Sequence, residues 1–253
     1  MDDSEAMRTM ISAYRRAEPR WIDGAVSEES DGLYLQALGL PAGWANSAVP
    51  MRHLPDAEAR LREARQWFAD RGLTMSVNVE DGYPEVEAAA RTLGLERGPP
   101  RRGMVREPLP VPSVPSPGIP LRRAVAEDRE AVATAQAAGF GMTIEFARLL
   151  QPESKFDSVT ILLAVDGDAP AGTAEIFIHD GIAGIGGVCT IPSHRGLGLG
   201  RELMVESIRV AADAGCEKVC LFAAEGTDGF YRALGFRPAY SERTWSPPGT
   251  APE

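Results

Sequence analysis

Between residues 158 and 192 the chain reads SVTILLAVDGDAPAGTAEIFIHDGIAGIGGVCTIP, apolar runs broken by Asp-Gly pairs. Runs of this length bounded by turn residues predict strands at 159–165, 171–179 and 182–191. The separators DGDAP and DG predict tight hairpins, because Asp-Gly supplies the positive φ that such turns require. The expected product is an antiparallel meander. Over 200–214 the rhythm changes to a helical one. Leu203, Met204, Ser207, Ile208, Val210 and Ala211 fall on one side of a helical wheel, and Glu202, Glu206, Arg209 and Asp213 on the other. Gly215 ends that helix, and KVCLFAA then reads as a buried strand after a crossover, which implies parallel pairing with the strand before it. TDGFYRALGF predicts a last helix, and 236–244 a closing strand. Upstream, IPLRRAV predicts a short edge, AEDREAVATAQAAGF a helix stopped by Gly139, and TIEFARLL a second short helix.

The first half carries a similar pattern. ARLREARQWFADRGLTMSVNVEDGYPEVEAAARTLGLERG repeats the order of GRELMVESIRVAADAGCEKVCLFAAEGTDGFYRALGFRPA: amphipathic helix, glycine stop, apolar strand, turn, and a helix closing on Leu-Gly. Aligning Leu93-Gly94-Leu95 with Leu234-Gly235-Phe236 sets Ala90 opposite Tyr231 and leaves the first copy without a glycine-rich loop. The two halves are separated by EPLPVPSVPSPGIP, whose prolines remove backbone donors and predict an extended connector outside any sheet. The expected organisation is a smaller α/β domain over 1–106, a linker over 107–118 and a larger domain over 119–253. The fold class is α/β of the α+β type, with a mixed, mostly antiparallel sheet flanked by helices.

Composition narrows the function. The chain has 253 residues, 44% hydrophobic and 25% charged, enough to bury a sizeable core. A formal charge of −10 leaves no basic surplus to displace phosphate counterions, so a nucleic-acid partner is not expected. The opening MDDSEAMRTM lacks the charged-then-apolar pattern of a secretory leader, and no apolar run approaches a membrane span. A cytoplasmic location with no membrane partner is expected. Cys189, Cys216 and Cys220 have no histidines at zinc-ligand spacing, which predicts reduced, packed thiols and no metal.

The remaining signal is HRGLGLGRELM, three glycines at alternate positions before the amphipathic helix. A dinucleotide fingerprint fails, since Arg201 or Leu203 stands where the third glycine belongs, and the Lys-Ser/Thr of a Walker loop is absent. Arg/Gln-x-x-Gly-x-Gly/Ala is met by Arg195, Gly198 and Gly200. A helix N-terminus offers unpaired amides and partial positive charge, so glycines there let backbone approach an anionic group. The stretches TIPSHRGLGLGRELM and FYRALGF together resemble the GNAT superfamily of acetyl-CoA-dependent N-acetyltransferases over about residues 119–245, preceded by a degenerate GNAT-like half.

The resemblance implies acetyl-CoA as co-substrate. Its diphosphate would lie on the loop Arg195, Gly196, Leu197, Gly198, Leu199, Gly200 and Arg201, and its pantetheine arm along Val188, Cys189 and Thr190. Gly186-Gly187 agrees with a bulge or opening in that strand. Acyl transfer to an amine needs a neutral amine, and deprotonating an alkylamine at neutral pH costs about 4–5 kcal/mol. The resemblance assigns Tyr231 as the acid facing the departing thiolate. Where some relatives carry a basic glutamate, Gly184 stands here, and Ala224 replaces an asparagine often found seven residues before the tyrosine. Glu175 is the candidate base, since Glu175, Phe177 and His179 alternate onto one side of a strand; His179 is a second candidate, and His194 a neighbour of the phosphates. The leading reading is direct transfer to a primary amine, small molecule or peptide, by a monomer or homodimer. The alternative is a non-catalytic acyl-CoA sensor or interaction module.

Overall fold

The computed structural model describes residues 1–40 and 43–249. In chain order the elements are α1 (Asp3–Ala17), β1 (Val26–Ser30), β2 (Leu33–Ala37), β3 (Asn46–Pro50), α2 (Ala57–Ala69), β4 (Ser76–Glu80), α3 (Pro84–Thr92), β5 (Glu96–Arg106), β6 (Leu121–Arg123), α4 (Arg129–Phe140), α5 (Ile144–Leu149), β7 (Val159–Asp166), β8 (Ala169–His179), β9 (Ile182–Thr190), α6 (Leu199–Asp213), β10 (Lys218–Ala223), α7 (Asp228–Arg232) and β11 (Arg237–Ser246). They form two compact units, and the chain enters each twice. Residues 1–14 and 103–239 make one unit; residues 15–102 and the chain from Tyr240 onward make the other. This division differs from the consecutive segments 1–106, 107–118 and 119–253 expected from the prolines. Residues 250–253 of the last segment lie outside the described residues.

In the unit holding 103–239, the meander forms as its turn residues dictate. β6, β7, β8 and β9 pair antiparallel in succession, β10 joins β9 in parallel, and the end of β5 follows β10. At the β8–β9 hairpin Asp180 and Gly181 both take positive φ, 47° and 71°, the conformation that Asp-Gly favours. α6 covers one face of β8 and β9, burying Leu199, Leu203, Met204, Val205 and Ile208 against Ala174, Ile176, Ala183 and Ile185. Each large apolar side chain so buried contributes about 1.5–3 kcal/mol. α4 also packs on β8 and β9, with Gln136 meeting Glu175.

α4 does not stop at Gly139. It runs to Phe140 and is capped by Gly141 at φ 71°. Gly139 serves a different purpose: a Cβ there would stand 2.7 Å from both Cβ and Sγ of Cys189. The stretch 107–120 carries neither helix nor strand, as its prolines require. It is nonetheless part of the core, because Val111, Val114 and Ile119 pack against the cluster beneath α6.

The unit holding 15–102 repeats this order. β1–β2 and β2–β3 are antiparallel and β3–β4 is parallel, with α2 and α3 enclosing Leu61, Phe68, Val77, Val79 and Val86. The helix endings share the same glycine turn. Gly94 and Gly235 take φ 73° and 86°, and the amides of Leu95 and Phe236 donate to the carbonyls of Ala90 and Tyr231, 3.0 and 3.1 Å. The sheet is completed beside β4 by β11, in the register Glu242↔Glu80 to Trp245↔Val77. Glu242, 1% exposed, receives Arg15 and Arg101, each at 3.0 Å, which fixes the strand's seat.

α1 begins in the other unit, anchored by charge. Asp3 and Glu107 are bridged by Lys218 (2.8 Å to each) and by Arg237 (2.6 and 2.7 Å). Hydrogen bonds from Arg237, and then Lys218, hold both carboxyls below their ordinary range. A carboxyl depressed in the folded state stabilises it fully above the unfolded pKa of about 4, and that contribution is lost as pH falls through the folded value. Asp3→Asn should therefore lower the unfolding free energy by about 1 kcal/mol at neutral pH, less in high salt. Urea denaturation should show the parent and variant converging as pH falls below the ordinary aspartate range and Asp3 protonates.

Candidate active site

β9 pairs with β10 only from Ile182↔Lys218 to Ile185↔Leu221, then continues to Thr190 against β8 alone. The parting coincides with a bulge. The β8–β9 register passes from Glu175↔Gly186 to Thr173↔Cys189, so Gly187 and Val188 together oppose Ala174. Gly187 takes φ 57°, which glycine accepts without strain. The opening expected at Gly186-Gly187 is present.

Pro192 starts a single 3-10 turn, and the chain then swings through Gly196 (φ 78°) and Gly198 (φ 92°) into α6. The amides of Arg201 and Glu202 both donate to the Gly198 carbonyl, at 3.0 and 3.1 Å. Those of Gly196, Leu197, Gly198, Leu199 and Gly200 have no hydrogen-bond partner among the described residues. They stand at the positive end of a 15-residue helix. Leu199, 1% exposed, pins the helix start in the core, whereas Leu197 is 57% exposed at the loop tip. A Cβ at Gly200 would meet only ordinary contacts, Thr190 Oγ1 at 3.5 Å and Phe230 Cζ at 4.0 Å, so the protein itself does not demand glycine there.

Arg195 is exposed, and its guanidinium donates to the carbonyls of Thr190 (3.2 Å) and Gly139 (2.8 Å), tying the loop to the ends of β9 and α4. The Arg201 side chain is exposed. Val188 packs against the cluster under α6, while Cys189 is buried beside Thr173 Oγ1, 3.3 Å away, and burial pushes its thiol up. His194 bonds Asp166 (3.0 Å) and Ser193 (2.9 Å), and His179 is an exposed neighbour of Asp180.

Tyr231 on α7 packs against the same cluster, edge-on to Phe230 and Phe236 with centroids 5.1 and 6.0 Å away. Burial raises its pKa, and its hydroxyl has no hydrogen-bond partner among the described residues. Loop, Thr190 and α7 thus converge. Glu175 lies elsewhere: it faces α4, and its Oε1 accepts from Gln136 Nε2 (2.8 Å), Gln151 Nε2 (2.9 Å) and Lys155 Nζ (2.9 Å). Burial alone would push this carboxyl up, but the Lys155 ammonium and the three hydrogen bonds outweigh it and hold the group below the ordinary range. Glu175 is thus one half of a buried ion pair with Lys155. The space at Gly184 is filled by Met10, whose Sδ lies 2.7 Å from the position a Cβ would take.

Lys155, Gln136 and Gln151 carry no motif that marks them in the sequence as one cluster. A signal existed for one: Lys155 and Lys218 are the chain's two lysines among 26 basic residues. Among the described residues no group of His, Cys, Asp and Glu is placed to hold a metal ion, and no helix is long and apolar enough to cross a membrane.

Residues 127–236 match the model of the acetyltransferase (GNAT) family. It is 44% identical over 46 residues, 18% of the chain, to a glucosamine 6-phosphate N-acetyltransferase of Trypanosoma brucei brucei. The chain spans 31% and 54% of the length of two curated relatives it matches. In fold it is similar to a GCN5-related N-acetyltransferase from Kribbella flavida, with TM-score 0.75, 22% identity and 96% of each chain covered. It is also similar to a tandem GNAT protein from the clavulanic acid biosynthesis pathway, with TM-score 0.65, 19% identity and 96% and 94% covered. The mixed, mostly antiparallel sheet flanked by helices is that of these proteins.

The packing of α4 on β9 gives a direct test. Gly139→Val would drive a branched side chain into Cys189 and should destabilise the fold by about 1–3 kcal/mol, whereas Gly141→Asn, which tolerates left-handed φ, should cost much less. Thermal denaturation of the two variants checks this ordering.

Proposed function

We propose that the chain is an N-acetyltransferase that moves the acetyl group of acetyl-CoA directly to a primary amine. The observation that carries this reading is the row of unpartnered amides from Gly196 to Gly200 at the start of α6, beside a strand that has just parted from its neighbour. Backbone N–H groups at a helix N-terminus suit a diphosphate, with Arg195 and Arg201 adding positive charge nearby. The unpaired side of β9 at Val188, Cys189 and Thr190 suits an extended, amide-bearing arm, which would lie there as an added strand.

The chemistry follows from what each side chain can do. Attack of a neutral amine on the thioester carbonyl forms the amide bond and breaks the carbon–sulfur bond, leaving a thiolate. Tyr231, with its hydroxyl unpaired and its pKa raised, stays protonated at neutral pH and supplies the proton to that sulfur. Cys189 is a poor nucleophile, because its thiol is buried and hydrogen-bonded, which supports direct transfer over an acyl-cysteine intermediate. Glu175 is ionised, but the oxygen carrying all three hydrogen bonds binds a proton weakly, so the amine sheds its proton to water.

That locked carboxylate also favours the second reading, a chain that binds acyl-CoA without turning it over. Free-thiol release on mixing with acetyl-CoA and a panel of amines separates the two. Amine-dependent thiol is expected; tight coenzyme A binding with no amine dependence supports the sensor. Tyr231→Phe should lower kcat more than about tenfold while the calorimetric Kd for coenzyme A stays within about twofold, since the lost proton donor acts in the transition state. Unchanged turnover would remove the acid role.

A further inference from the structure

The Glu175 carboxylate is a buried charge that acetyl transfer leaves without a task. It is 7% exposed and its partner Lys155 5% exposed. Lys155 Nζ also donates to the Leu150 carbonyl at 3.0 Å, and Gln151 Nε2 to Gln136 Oε1 at 2.8 Å, so each donor is itself held. A buried pair of this kind adds little net stability, because desolvating two ions offsets most of their attraction; its best-attested use is to fix a register.

The register at issue lies directly above the carboxylate. A Cβ on Gly187 would stand 2.7 Å from both Cγ and Cδ of Glu175 and 3.1 Å from Gln136 Nε2, so the carboxylate stem fills the hollow of the bulge. From the strand side, Thr173 Oγ1 donates to the Gly187 carbonyl at 2.8 Å. The bulge is thereby held along two directions. We infer that Lys155, Gln136 and Gln151 hold Glu175 as a strut beneath Gly187, and that the strut sets the direction in which Val188, Cys189 and Thr190 present their backbone groups. Glu175 is then a positioning residue that acts through β9. The role toward coenzyme A rests on the acetyl-transfer reading; the role toward the bulge does not.

The test compares the full-length parent with Glu175→Gln, the paired Lys155→Met/Glu175→Gln, and Gly187→Ala. Glutamine keeps the size of the side chain but strands the Lys155 ammonium, and the paired variant removes that stranded charge. Three quantities are measured: amide hydrogen exchange at 186–190 without ligand, the calorimetric Kd for coenzyme A, and the pH profile of kcat/KM. Glu175→Gln should speed exchange about tenfold as the segment loosens. It should weaken coenzyme A binding about tenfold through misplacement, with the acidic limb of the profile retained. The paired variant should return both values to within about threefold of the parent. Gly187→Ala, which alters no charge, should reproduce the faster exchange and weaker binding.

Parent-like exchange and affinity in Glu175→Gln would overturn the strut. So would an acidic limb that vanishes while affinity is untouched, which would make Glu175 the base. If the parent binds no coenzyme A, the acetyl-transfer reading falls, and the exchange data decide the strut alone.

Discussion

A strand inside a sheet must satisfy neighbours on both sides, and β9 does so for only four residues against β10 before continuing with one partner. An unpaired strand flank this close to a core is a cost unless something occupies it. The rest of the site follows from that parting. The bulge at Gly187 turns the strand, the glycines at 196 and 198 turn the chain back, and α6 starts with its unpartnered amides beside the opened edge.

Rigidity around this opening comes from α4. It reaches β9 and the loop at three points along its length: Gln136 through Glu175, the Ala135 carbonyl at Cys189 Sγ, and the Gly139 carbonyl at Arg195. The spacing of these residues brings them to the side of the helix that packs on the sheet. Gly139 allows the close approach that the last two contacts need. A bare-backbone binding loop gains precision from such bracing, since it has no side chains of its own to pack.

Much of this was legible in the sequence because the signals are local. Asp-Gly at 180–181 needs only its own backbone preference to make a hairpin, and the alternation of Leu203, Ser207 and Ile208 with Glu206 and Arg209 needs only helical geometry. The glycine loop and FYRALGF were readable for the same reason. What stayed hidden depends on partners distant in sequence. Glu175 reads as an ordinary strand residue until Lys155, Gln136 and Gln151 are seen around it. Gly139 looked like a helix stop because close packing and capping select the same residue, and only Gly141 has the left-handed φ. The placement of α1 and β11 was unreadable because an amphipathic helix or a closing strand carries no mark of the sheet it will join.

That last placement bears on how the protein is made. β4 is completed by a strand that begins only at Arg237, so the sheet of residues 15–102 waits for that strand to leave the ribosome. Until then the β4 edge is bare, open to mispairing with other nascent chains. Cutting the gene at the proline segment would make that vulnerability permanent, leaving the front fragment without its final strand.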